Sequence, residues 1–190
     1  MLLVAGVLLL VLAAVFHQDL LGLATGGHRA ARVAIGEKVP DFSVTDAEGK
    51  VWKLSDLQKR TASGVVSLTF WCTFCHSCRH LDAYFQTVAT AFQGEAAVLG
   101  IDASAADTVE KVEGFRAAKE FSVPVFMDTA GDAADLFGVR VTTTTVVIDK
   151  AGILRYRGQF GTASKPYVPD ALQAVLEGKE VSVQETSPAG

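Results

Sequence analysis

The chain has 190 residues, 17 Lys+Arg against 21 Asp+Glu for a net charge of −4, and 49% hydrophobic residues. A mildly acidic balance with no run of Lys or Arg excludes nucleic acid as the main partner. Mean hydropathy is +0.30, but the excess sits at one end: without residues 1–16 the rest is about 45% apolar, an ordinary globular figure that can bury a core without disulfide staples.

In chain order, Met1 to Phe16 (MLLVAGVLLLVLAAVF) is apolar at every position but Gly6. It is shorter than the ~20 residues of a membrane-spanning helix, although Leu20 to Ala24 extends it past His17, Gln18 and Asp19. Gly22, Thr25, Gly26 and Gly27 break the chain just afterwards, which favours a signal or membrane anchor over a buried helix. No Lys or Arg precedes Arg29, so the basic flank that sets orientation is missing. No cysteine follows the run, which argues against a lipoprotein anchor. Residues 1–35 therefore read as an apolar leader and linker.

Residues 36–178 read as one domain. Phe42 to Thr45 and Val51 to Leu54 flank the Glu48-Gly49 turn and predict a hairpin. Gly64 to Trp71 (GVVSLTFW) has the β-branched and aromatic profile of a buried strand. Residues 75–92 carry Leu81, Tyr84, Phe85, Val88 and Phe92 at helical spacing. Ala96 to Asp102 is a further strand. Thr108 to Phe121 repeats the helical pattern through Val109, Val112, Phe115 and Ala118, and Val123 to Met127 returns to strand. Asp132 to Phe137 reads as a short helix closed by Gly138. Thr144 to Asp149 and Ile153 to Arg157 flank Lys150-Ala151-Gly152 as a second hairpin, and Val168 to Leu176 is a closing helix. Residues 179–190, rich in Glu, Ser, Thr and Pro, read as a flexible tail. The order predicts an α/β domain, a mixed central sheet flanked by helices.

The chemistry concentrates in one segment. Cys72, Cys75 and Cys78 are the three cysteines of the chain and lie within seven residues, too close to staple distant parts of a fold. A strand runs straight into them, and in such sheets chemistry sits at the carboxyl ends of strands. A thiol in the first turn of a helix feels the positive end of the macrodipole, which stabilises thiolate. Cys78, one turn on, is placed to capture a mixed disulfide. Cys75 and Cys78 thus have the spacing of a dithiol/disulfide couple.

Phe70 to Arg79 (FWCTFCHSCR) resembles the active-site segment of thioredoxin-like proteins, above all the TlpA/ResA and redoxin (AhpC/TSA-like) branch. The resemblance extends to VPDFSVTDAEGKVWKLSDL (Val39 to Leu57), PVFMDTAGDAADLFGV (Pro124 to Val139) and TTVVIDKAGILRYRGQFG (Thr144 to Gly161). It implies a thioredoxin-like fold with an N-terminal β-hairpin extension. It also implies thiol:disulfide exchange with protein or small-molecule disulfides and dithiols, with no cofactor. Cys75 would attack, Cys78 would resolve, and Trp71 would wall the site.

Three positions depart from the family pattern. Where a cis-proline usually faces the cysteines stands Thr143, whose backbone would pair with a bound peptide as an added strand. Thr69 stands where thioredoxins carry a buried acid, which leaves His76 or His80 to move the proton. Thr69 also matches the threonine of a peroxidatic motif, but Val65 occupies its proline position, so a peroxidase match is partial. Cys72 replaces an alanine and reads as a small buried hydrophobe, a third redox thiol or a ligand. His76, beside the nucleophile, would as imidazolium favour thiolate; His80 reads as a partly packed histidine.

Two metal readings use the same residues. Cys72, Cys75, Cys78 and His76 suit copper or zinc, and Cys72-Thr-Phe-Cys75-His76 is a literal haem-attachment string, which would need both cysteines exposed. The favoured expectation is a membrane-anchored or exported oxidoreductase whose domain is extracytoplasmic. A metal-binding module and a peroxidase are the competing classes.

Overall fold

The computed structural model describes residues 32–187; the apolar leader lies outside the described residues. The first hairpin forms as expected: β1 (Ser43–Thr45) pairs antiparallel with β2 (Val51–Lys53), Val44 opposite Trp52. Gly49 turns between them at φ 80°, a left-handed conformation that costs glycine nothing. The second strand ends one residue earlier than expected, because Leu54 opens a short helix, α1 (Leu54–Gln58), whose Leu54 and Leu57 are buried.

The apolar runs supply the rest of a seven-stranded mixed sheet. β3 (Val66–Phe70), β4 (Ala97–Asp102) and β5 (Val125–Met127) are parallel, while β6 (Thr144–Ile148) and β7 (Leu154–Gln159) continue antiparallel from β3. The order across the sheet is β2-β1-β5-β4-β3-β6-β7, so the hairpin extends the sheet at the β5 edge. The helices are α2 (His76–Ala91), α3 (Val109–Lys119), α4 (Asp132–Leu136) and α5 (Tyr167–Leu176). This is the thioredoxin-like architecture that the sequence implied.

Side chains alternate along each strand, and β3 shows why both faces need cover. Val66, Leu68 and Phe70 join Leu57, Ile101 and Phe137 in one core cluster. Val65 and Trp71 join Phe85, Phe121, Tyr156 and Leu172 in the other, which also contains all three cysteines. In α3 the expected apolar stripe is narrower: Val112 is buried, Val109 and Phe115 are partly covered and Ala118 is exposed.

The expected flexible tail is corrected over its described part. Arg157 is only 5% exposed, and a buried guanidinium needs partners. Its Nη2 donates to Glu185 at 2.7 Å and its Nη1 to the Val33 carbonyl at 2.7 Å. The Arg157 N–H donates to the Gln184 carbonyl at 3.0 Å, and the Thr186 N–H donates back to Arg157 at 3.1 Å. Val181 enters the core. The segment after α5 is thereby held along β7, which runs two residues beyond the expected Arg157.

Candidate active site

The redox segment begins where β3 ends. The Trp71 N–H still donates to the Ile101 carbonyl at 2.8 Å, holding the chain against β4 for one residue beyond the strand. Cys72 to Phe74 form a short loop, and Cys75 is the N-cap of α2 with extended backbone. Cys75 and Cys78 are joined as a disulfide, their Cα atoms 5.2 Å apart. The Cys78 N–H donates to the Cys75 sulfur at 3.0 Å, as a side chain at an N-cap is placed to accept. The Thr142 hydroxyl lies 3.0 Å from the same sulfur, and because a disulfide sulfur carries no hydrogen, the hydroxyl is the donor. Cys75 is 8% exposed and Cys78 1%, so the outer sulfur is the one with two donors aimed at it. Both donors, and the helix N-terminus behind them, favour negative charge on that sulfur once the disulfide is opened.

The residues around the pair are placed differently from several expectations. Trp71 is 1% exposed and supports the site from beneath. Its ring stacks on Phe121 with centroids 5.5 Å apart, meets Phe115 edge-on at 5.0 Å, and its Nε1–H donates to Asp82 at 2.9 Å. Burial pushes the Asp82 carboxyl up against that hydrogen bond and the charge of Arg79. The aromatic ring that solvent meets at the site is Phe74, at 58% exposure. His76 is exposed at the start of α2, and His80, expected partly packed, is exposed too. The buried stripe of α2 runs through Cys78, Leu81, Phe85 and Val88, and His80 falls one position off it. The two imidazole rings meet edge-on at 5.1 Å.

Thr143 has φ 64°, a left-handed conformation that costs a β-branched residue about 1–2 kcal/mol. Its N–H donates to the Phe70 carbonyl at 2.7 Å. That donor is therefore committed to the protein. The loop residue that reaches the sulfur is its neighbour Thr142, hidden from sequence reasoning inside a run of four threonines. An open cavity of about 300 Å³ lies alongside, between Leu81 and Tyr84 of α2 and Thr143 and Phe160 opposite.

Beneath the loop lie two acids that the sequence did not single out. Asp102 ends β4 and is 1% exposed; its Oδ1 accepts the Ser104 N–H at 2.8 Å, and its buried Oδ2 meets no hydrogen-bond partner. Burial, reinforced by Asp107 and opposed by the Ser104 N–H, pushes this carboxyl up to about 7. Asp107 is held below its ordinary value: burial opposes its charge, but hydrogen bonds from Thr73 and Asp102 and the Lys111 ammonium outweigh it. Cys72 is 4% exposed, and burial, then the charges of Asp102 and Asp107, push its thiol up. It stays a protonated, enclosed thiol. Thr69, in the place of the thioredoxin acid, shares a hydrogen bond with Thr145 at 3.0 Å.

The haem string is corrected by burial: Cys72 and Cys75 are 4% and 8% exposed, and Cys75 is bonded to Cys78. Among the described residues no group of three or more His, Cys, Asp or Glu side chains converges in a metal-binding arrangement.

Residues 35–157 match the AhpC/TSA family. The chain is 27% identical over 172 residues to the thiol-disulfide oxidoreductase ResA of Geobacillus thermodenitrificans, covering 89% of this chain and 92% of that protein. It is 26% identical over 152 residues to the thioredoxin-like protein YneN of Bacillus subtilis, covering 80% and 85%. Among solved structures, a putative thiol:disulfide interchange protein DsbE from Chlorobium tepidum superposes with a TM-score of 0.63 at 26% identity, covering 76% of this chain and 99% of that one.

Proposed function

The chain belongs to the AhpC/TSA family, in its thioredoxin-like redoxin branch, and from that premise we propose how its cysteines divide the work of a thiol:disulfide oxidoreductase. The observation that carries the assignment is the Cys75–Cys78 disulfide at the N-terminus of α2, with the outer sulfur facing two hydrogen-bond donors. In the reduced protein the Cys75 thiolate, held by the Cys78 N–H and the Thr142 hydroxyl, attacks one sulfur of a partner disulfide. A Cys75–partner bond forms, the partner's S–S bond breaks, and one partner thiolate leaves. The Cys78 thiolate then attacks the Cys75 sulfur, closing the intramolecular disulfide and expelling the second partner thiolate. Two electrons pass to the partner, which takes up two protons. Run in reverse, the disulfide oxidises a partner dithiol.

His76, exposed beside Cys75, biases the thiolate electrostatically. Trp71 acts from below by fixing the start of the loop through its rings and Asp82. Cys72 takes no part in the exchange, because its burial keeps it protonated and enclosed. The partners are protein or small-molecule disulfides and dithiols.

The apolar residues 1–16 support tethering of the domain to a membrane, or its export, with the domain on the extracytoplasmic side; among the described residues no helix is long and apolar enough to cross a membrane. Reduction of insulin disulfides by the full chain tests the assignment. Cys75→Ser is expected to abolish turnover, Cys78→Ser to trap mixed disulfide on Cys75, and Cys72→Ala to leave turnover in place. Retention of activity by Cys75→Ser would overturn it.

A further inference from the structure

The loop between β3 and α2 has to deliver Cys75 to one place, and its Phe74 is 58% exposed. Thr73 is the loop side chain tied to Asp107, outside the loop. The Thr73 N–H donates to Asp107 Oδ2 at 2.8 Å and the Thr73 hydroxyl to Asp107 Oδ1 at 2.5 Å, so one carboxylate grips backbone and side chain together. A two-point grip on a carboxylate is stronger and more directional than a neutral hydrogen bond. On the other side of Cys72, Trp71 is fixed to Ile101, the residue before Asp102. The loop is thus stitched at both ends to the segment that carries the two acids. From Thr73 the chain needs two residues to reach the N-cap, where the Cys75 N–H closes the turn onto the Cys72 carbonyl at 3.4 Å.

We propose that Asp107 is a positioning residue of the redox site: through its two-point grip on Thr73 it fixes the approach of the chain to Cys75. The charged neighbours favour the grip: burial opposes the Asp107 charge, but hydrogen bonds from Thr73 and the Lys111 ammonium help hold its carboxyl below the ordinary value, and Cys72 stays a neutral thiol. Neither acid touches the reacting sulfurs. The effect on Cys75 passes through the backbone, by keeping its sulfur over the Cys78 N–H and beside Thr142.

The proposal rests on Cys75 being the nucleophile and is tested on the reduced full chain carrying Cys78→Ser, so that Cys75 is the accessible thiol. Iodoacetamide alkylation of Cys75 is followed by mass across a range of pH, with urea unfolding in parallel. Thr73→Val and Asp107→Asn are expected to move the alkylation profile to higher pH and slow the reaction at neutral pH by roughly three- to tenfold, tenfold being one pKa unit. Thr73→Ser, which keeps the hydroxyl, is expected to react as the parent does. A role confined to stability would lower the unfolding midpoint and leave the profile of the folded protein unmoved, and that result would overturn the proposal. So would a Thr73→Ser protein as slow as Thr73→Val, which would assign the effect to packing. Alkylation needs no partner, so an inability of the wild-type chain to reduce insulin would count against the proposed function and not against the loop grip.

Discussion

Replacing Asp102 by Asn removes a carboxyl whose burial works against its own charge while keeping nearly the same shape. The Asp102 carboxyl is raised from 3.8 to about 7 in the folded chain. Between those two values the folded protein binds a proton that the unfolded chain has released, so stability falls as pH rises through this window. Below pH 4 both states are protonated and the effect vanishes. Above pH 7 both are ionised and the folded state bears the whole difference, about 4 kcal/mol at 1.36 kcal/mol per pKa unit. Asp102→Asn is therefore expected to be more stable than wild type at pH 8, with an advantage larger than at pH 5 by about 2–3 kcal/mol. Urea unfolding of both proteins at pH 4, 5, 6, 7 and 8, with m-values checked for two-state behaviour, reads the difference directly. An advantage that is constant with pH, or a variant less stable at pH 8 than at pH 5 relative to wild type, would refute a buried acid that holds its proton to neutrality.

Other substitutions probe separate parts of the account. Trp71→Phe keeps the stacked ring and removes the Nε1–H donor to Asp82, so it is expected to cost about 1–2 kcal/mol in urea unfolding. Arg157→Ala removes the donors that hold Val33 and Glu185; about 1–3 kcal/mol of stability should be lost, and amides of residues 184–186 should exchange with solvent much faster in hydrogen-exchange mass spectrometry. Cys72→Ala trims one buried atom, is expected to cost about 1 kcal/mol, and should leave the rate of insulin reduction within twofold of wild type.

The sheet was legible because its strands are dense in β-branched residues. Val66 to Phe70 and Thr144 to Ile148 are buried at every position, a profile that a run of Val, Ile, Leu and Thr announces. The CxxC couple was legible for a related reason, since an apolar strand followed at once by a helical pattern fixes the cysteines at a strand end. Short elements were harder. The five residues of α1 bury two leucines three apart, too little periodicity to separate from the end of the preceding strand. The ordered tail was obscured by its polar composition, because what holds it is one buried arginine in β7 and not its own hydrophobicity. The acids were hidden for a similar reason: Asp102 reads as the polar stop of an apolar strand, and Asp107 as a loop residue before a helix. The signal that could have found them is position, for an acid at the carboxyl end of a central strand beside the redox strand lies where ligands and chemistry collect in such sheets. His80 is exposed and not partly packed because the buried stripe of α2 passes through Leu81, one position away.

The central claim is that Cys75 and Cys78 form one reversible couple and Cys72 stands apart from it. Intact mass of the native chain, equilibrated in thiol/disulfide buffers of graded potential, then alkylated and mapped by peptide, tests this most directly. Two alkyl groups should appear together as the buffer becomes more reducing, on Cys75 and Cys78, with Cys72 labelled only after the protein is unfolded. A disulfide that includes Cys72, or a native chain in which Cys72 is labelled as readily as Cys75, would contradict the account.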